Sequence, residues 1–185
     1  MDQFKEEVVT RTDRRGESVL FVLSWVLLLF SGASALIMIN LLMVGIGAQG
    51  FTAEMIVYVL MTVVLIVIAV LLFLYKDRIR TEYEYTFTNG ILDFAKVFNN
   101  RKRLALGTMD VRNIEACGMV QSGSFRRYLN IPGIKRINWF LNRGANLFYL
   151  YFQKEGNKSL LVMEPSDDLR EMIIRVAGPG KMQNN

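Results

Sequence analysis

The side chains that could do chemistry are few, and their spacing does not favour catalysis. The chain has 185 residues and no histidine, so it lacks the usual base near neutral pH and the commonest metal ligand. Its single cysteine, Cys117, allows neither an internal disulfide nor a thiolate zinc cluster, and it reads as a small buried residue of a strand. Glu82 and Glu84 stand two apart with Thr86 and form a candidate carboxylate pair, which reads as the solvated face of a half-buried strand. Asp93, Asp110 and Glu115 are isolated. Gly45-Ile46-Gly47-Ala48-Gln49-Gly50 has the glycine spacing of a dinucleotide-binding loop. That loop needs a strand before it and a βαβ unit around it. An apolar helix precedes it here, so it reads as a flexible turn between helices. The sequence has no phosphate-binding Gly-x-x-x-x-Gly-Lys loop and no Gly-x-Ser-x-Gly nucleophile turn. No enzyme, no cofactor and no metal is expected.

The cations are more informative. From Lys76 onward there are 18 Lys+Arg against 11 Asp+Glu. Arg101, Lys102 and Arg103 flank a turn. Arg126, Arg127, Lys135, Arg136 and Arg143 fall in one acid-free stretch, interleaved with Phe125, Tyr128, Trp139 and Phe140. Such a mixture suits an anionic lipid surface, where each Lys or Arg gains roughly 1 kcal/mol. It also suits nucleic acid, but a domain tethered to a bilayer already faces anionic headgroups, so no nucleic acid is expected. The expected contact set is Arg126, Arg127, Lys135 and Arg136 against the membrane or a partner, with Trp139 at headgroup depth and Phe140 beside it. A positive surface with no specific ligand is the plainer reading of the same residues.

The elements that must carry these residues divide the chain in two. Apolar sequence runs from Ser18 to about Val44 and again from Met55 to Tyr75, the second without a charge. A membrane-spanning helix needs about 20 apolar residues, so residues 18–75 read as a transmembrane helical hairpin. Ala33-Ser34-Ala35 resembles a signal-peptidase site, but apolar sequence continues directly through Leu36-Ile37-Met38. Lys5, Arg11, Arg14 and Arg15 precede the hairpin, Lys76, Arg78 and Arg80 follow it, and the loop from Gly45 to Glu54 has neither Lys nor Arg. The positive-inside rule then places both termini in the cytoplasm of a multi-pass cell-membrane protein. Ser24, Ser31 and Ala35 lie roughly on one face of the first helix. They suit close packing against the second helix, or a homodimer face. Two helices without intramembrane charge make a poor transport path.

Residues 81–178 read as a cytoplasmic domain of strands, preceded by a cytoplasmic N-terminal segment (1–17) and followed by a disordered tail (179–185). Thr81 to Thr88 alternates apolar and polar, Asn89-Gly90 supplies a hairpin turn, and Ile91 to Phe98 returns. Asn99-Asn100 marks a second turn. Arg101 to Gly107 and Val111 to Val120 complete an antiparallel meander. Residues 121–145 break the pattern, with a strand hidden around Lys135 to Phe140. Asn146 to Gln153 and Lys158 to Met163 form a further hairpin through Glu155-Gly156-Asn157. The chain then enters an amphipathic helix with Ser166 as N-cap, Asp167 and Asp168 in the first turn, and Leu169, Met172, Ile173 and Val176 on one face. Gly178 and Pro179 end it.

This order resembles the bacterial pleckstrin-homology-like (PH-like) domains that follow a pair of membrane helices. The resemblance lies in Tyr83-Glu84-Tyr85-Thr86-Phe87-Thr88-Asn89-Gly90-Ile91-Leu92-Asp93, Arg101-Lys102-Arg103, Asp110-Val111-Arg112-Asn113-Ile114-Glu115 and Met163-Glu164-Pro165-Ser166. It implies a membrane-anchored α+β protein, with an antiparallel β-barrel plugged at one end by the C-terminal helix, and it implies no catalytic residue. The expected function is a binding or scaffolding module at the cytoplasmic face. It would engage anionic lipid headgroups, a protein partner or a second copy of itself. The alternative is an accessory subunit that joins a larger membrane complex through its helices.

Overall fold

The computed structural model describes residues 3–154 and 156–183. The chain forms two compact units, one of residues 13–80 and one that combines residues up to Thr12 with those from Thr81 onward.

The helical unit consists of α1 (Arg15–Gln49), α2 (Met55–Tyr75) and one 3₁₀ turn, Lys76–Ile79. α1 is longer than its apolar run and continues through Gly45–Gln49, so most of the glycine-rich segment is helix and not a loop. Gly50, at φ 74°, ends it. Ser24, Ser31 and Ala35 are buried residues of α1, which packs along α2, itself burying Thr62. The hydroxyls of Ser24, Ser31 and Thr62 donate to carbonyls of their own helices, those of Phe21, Leu28 and Tyr58 at 2.7, 3.1 and 2.7 Å. Those bonds satisfy the hydroxyls within each helix. Elsewhere the helices display large apolar side chains, Phe30 and Leu36 among them. Both helices are long and apolar enough to cross a membrane, and only 17% and 6% of their most apolar windows are buried. The core helix of a water-soluble domain would be mostly covered.

In the second unit, β1 (Phe4–Val9), β2 (Thr81–Thr88), β3 (Ile91–Phe98) and β4 (Lys102–Asp110) form an antiparallel sheet in that order. Asn89 and Gly90 (φ 51° and 94°) and Asn99 and Asn100 (φ 48° and 55°) make the two turns with the positive φ such hairpins demand. A 3₁₀ turn, Val111–Asn113, leads into β5 (Ile114–Met119), then α3 (Gly123–Leu129) and β6 (Lys135–Trp139). β7 (Phe148–Lys154), β8 (Asn157–Met163), α4 (Asp167–Ala177), a 3₁₀ turn (Pro179–Lys181) and β9 (Met182–Gln183) follow. The second sheet runs β6-β8-β7-β5-β9, with β6 parallel to β8 and β9 parallel to β5.

The main core brings together Tyr85, Phe87 and Leu92 of the first sheet, Phe148, Leu150 and Leu161 of the second, and Leu169 and Ile173 of α4. Ser166 accepts from Leu169 N at 3.3 Å as the N-cap, and Gly178, at φ 100°, follows the last turn. A second cluster lies between Tyr149, Tyr151, Leu160 and Val162 of the second sheet and the segment from Phe125 to Phe140.

Three expectations need correction. The strands do not close into one barrel; they form two sheets, and β4 and β6 end them without pairing. A register shift opposite Phe94/Ala95 bulges β4, and the indole of Trp139 lies by this seam, stacked on Phe94 at 4.6 Å. The N-terminal segment, expected only to precede the domain, supplies one of its strands. Phe4 to Val9 pair with Thr88 to Tyr83 as the edge strand of the first sheet. The tail expected to be disordered carries, in its described part, the 3₁₀ turn and β9, which pairs Met182 with Cys117 and Gln183 with Gly118. Gly118 makes room for it, since a Cβ there would lie 2.7 Å from the Gln183 carbonyl oxygen. Asn184 and Asn185 lie outside the described residues, as does Glu155 of the expected turn between β7 and β8.

Where β1 ends, Asn142 holds the chain. Its side-chain amide donates to Thr10 O (2.9 Å) and to Glu164 Oε1 (2.7 Å), and its Oδ1 accepts from Thr12 N at 2.9 Å. Glu164 Oε2 accepts in turn from Asn142 N at 3.0 Å and Leu141 N at 3.3 Å. β1 also anchors α4: Glu7 Oε1 accepts from Ser166 N at 2.8 Å, and Lys5 pairs with Asp168 at 3.1 Å.

Candidate functional site

Residues 121–145 resolve into a short helix and a strand, each with one covered side. At the start of α3, Ser122 Oγ donates to Met119 O and contacts Ser124 Oγ, both at 2.7 Å, and the Tyr149 hydroxyl donates to Ser124 Oγ at 3.0 Å. Phe125 stacks on Tyr149 at 5.5 Å, and Tyr128 stacks on Tyr149 and Tyr151 at 5.6 and 4.7 Å. With its aromatic side fixed to the second sheet, the helix leaves Arg126 and Arg127 exposed.

On β6 neighbouring side chains point to opposite sides of the sheet, Arg136 to the side of α3 and Lys135 to that of Ile137 and Trp139. Lys135 and Arg136 are exposed, and the Arg136 guanidinium donates to Leu129 O at 3.0 Å, joining the strand to the end of α3. Ile137 and Trp139 pack against the main core and Phe140 against the outer cluster. The structure therefore brings four sequence-predicted cations, Arg126, Arg127, Lys135 and Arg136, to the surface of one segment, while Trp139 and Phe140 are half-buried in packing contacts. Composition alone could not distinguish these roles. The period-two order Ile137, Trp139 against Arg136, Asn138 was the available signal.

Sequence reasoning missed an open cleft between the two sheets. It has a volume of about 910 Å³ and is bounded by Gly107–Asp110 of β4, by β6, and by the adjoining ends of β7 and β8. Phe94, Trp139, Phe152 and Leu161 contribute its apolar lining, and Lys135, Arg136 and Lys154 its positive charge. Asp110 is the acidic side chain among the described lining residues. Arg112 holds it with a 2.9 Å hydrogen bond, which lowers its carboxyl below the ordinary range.

The other reactive types are occupied structurally. Cys117 is fully buried, and burial pushes its thiol up to about 11. Glu84 pairs with Arg103 at 2.7 Å. The Tyr85 hydroxyl donates to Trp139 O and accepts from Glu164 N at 3.3 Å, and burial raises its phenol. Among the described residues, no group of three His, Cys, Asp or Glu could hold a metal ion.

At the end of the helical unit where the chain leaves α2, cations sit over aromatic rings. Lys76 Nζ lies 4.2 Å from the Phe73 ring and 5.0 Å from that of Trp25, and donates to Phe73 O at 3.0 Å. Arg78 lies 4.6 Å from the Tyr75 ring and Arg80 4.2 Å from that of Phe21.

Two facing sheets with a C-terminal helix packed into their shared core agree with a PH-like domain, a class that is generally non-catalytic and serves binding or scaffolding. The chain belongs to the family described as Bacterial PH-like domain (DUF6106), whose model matches residues 1–182. The match takes in β1 and the apolar hairpin, so both belong to the family's design. No curated protein and no solved structure shows a significant match to the chain.

Proposed function

We propose that the protein is a non-enzymatic, membrane-anchored PH-like module that holds a binding surface at the cytoplasmic face of the cell membrane. The observation that carries this reading is the pairing of β1 with β2 across 68 intervening residues of the helical unit. Strands of one sheet must lie on one side of a bilayer, and a segment that joins them through a membrane must cross it an even number of times. α1 and α2 meet that requirement. Their exposed apolar surface supports insertion, because contiguous apolar patches of this extent are not stable in water. The Lys76, Arg78 and Arg80 contacts with rings form the cation and aromatic belt of a membrane interface, and together with a loop free of Lys and Arg they favour a cytoplasmic domain.

Arg126, Arg127, Lys135 and Arg136 are the residues proposed to meet anionic headgroups. The tether keeps them at high effective concentration near the leaflet, and the contact weakens with salt. Trp139 is left out of this surface because it packs against the core. The test has two parts. In a Cys117→Ala background, an impermeant thiol reagent on whole cells should label a cysteine at Gln49 and spare one at Asn130; the reverse pattern overturns the orientation. A soluble form of the domain should bind phosphatidylserine vesicles in proportion to anionic lipid. Binding that survives reversal of the four charges refutes the leaflet contact.

A further inference from the structure

The geometry points to the seam between β4 and β6 as a site that takes an acidic, extended segment of a partner protein, added as a strand to the free edge of β6. The seam is a gap between two sheet edges. β4 and β6 are both terminal strands, and the side of β6 away from β8 has no strand partner among the described residues. Such an edge offers a row of backbone donors and acceptors, the basis of recognition by strand addition. β6 is the better of the two edges. Its register with β8 runs without a shift from Lys135 to Trp139, whereas β4 is bulged where it borders the cleft. Backbone groups alternate between the two sides of a strand, so with the Trp139 carbonyl accepting from Tyr85 the open groups on that edge are those of Lys135 and Ile137.

The volume and lining fit a peptide. About 910 Å³ is at the upper end of small-ligand sites, and five strand residues extend about 17 Å. Alternate side chains of an added strand would rest on Trp139, Ile137 and Phe152. Gly107 is exposed on the opposite wall, where a Cβ would make an ordinary 3.5 Å contact with the Trp139 ring and a branched side chain would fill the space beside it. The occupant's charge follows from complementarity. Lys135, Arg136 and Lys154 line the cleft, while Asp110 is engaged by Arg112.

This inference rests on the reading of the domain as a binding module but not on its contact with lipid, so it is tested in uncharged phosphatidylcholine nanodiscs with the full chain. The chain has two tryptophans, so Trp25→Phe leaves Trp139 as the sole reporter at the cleft. The probe is the capped peptide Glu-Val-Glu-Val-Glu-Val, together with two forms N-methylated at alternate residues in opposite frames. Strand addition uses every second amide, so one methylated form should lose at least tenfold in affinity while the other keeps it. Lys154→Glu and Gly107→Val, neither among the four proposed lipid contacts, should each weaken the unmodified peptide at least tenfold. Absence of a saturable Trp139 signal, or equal binding by all three peptides, overturns the proposal. The same Trp139 change produced by phosphatidylserine nanodiscs without peptide assigns the cleft to lipid and also overturns it.

Discussion

Asn142 carries three hydrogen bonds through one side chain, and none of its partners can replace it. Asn142→Ala removes the partner of the Thr10 carbonyl and the Thr12 amide and strips Glu164 of a donor. The Thr12 amide is exposed and can turn to water, whereas the Thr10 and Glu164 groups are part-buried, so denaturation followed by Trp139 fluorescence in a Trp25→Phe background should show a loss of about 1–3 kcal/mol. Asn142→Asp sets a second carboxylate against Glu164 and should cost more. Cys117 gives a prediction of a different kind. Its thiol is raised from an ordinary 9.0 to about 11, so the folded domain holds the proton that the unfolded chain releases. That contribution to stability is complete below about pH 9 and is lost as pH rises to about 11. Cys117→Ala should flatten the stability curve across that window, and native protein at pH 8 should react with a thiol reagent only as fast as it opens.

Among the elements, α4 is the clearest test of the core. Leu169 and Ile173 have no exposed surface, and Ile173→Ala should lower stability by about 2–5 kcal/mol; an unchanged melt would show that the helix is not part of the core. This helix was legible in the sequence because each signal for it is local: Ser166 as cap, two aspartates in the first turn, an i, i+3, i+4 apolar face, and glycine at the end. The hairpins were legible for the same reason, since Asn89-Gly90 and Asn99-Asn100 specify positive φ by themselves. β1 was not legible. Its face toward α4 carries Lys5 and Glu7, which bind Asp168 and Ser166, so the strand shows no apolar alternation. β9 is two residues long and exists only because Gly118 lacks a side chain. The open seam was hidden because no local pattern shows that two sheet edges fail to meet.

For the whole molecule, the chain order decides what an isolated domain must contain. A fragment beginning at residue 80 lacks the edge strand and should be poorly folded. Val9 pairs with Tyr83, so joining Thr10 to Glu82 through Asn-Gly should replace the helical unit with a two-residue hairpin turn. The resulting chain should be soluble and melt cooperatively, whereas the fragment without β1 should melt at least several degrees lower; equal melting would make β1 dispensable. On the membrane-anchored reading proposed above, the same arrangement affects biogenesis. β1 leaves the ribosome before the helices, yet its partner follows only after both have been made. If one helix enters the bilayer and the other does not, β1 and β2 are stranded in different compartments, and β2 is left as a raw edge. Correct insertion and completion of the sheet are thus one event, and a misinserted copy would present quality-control proteases with a domain that cannot close.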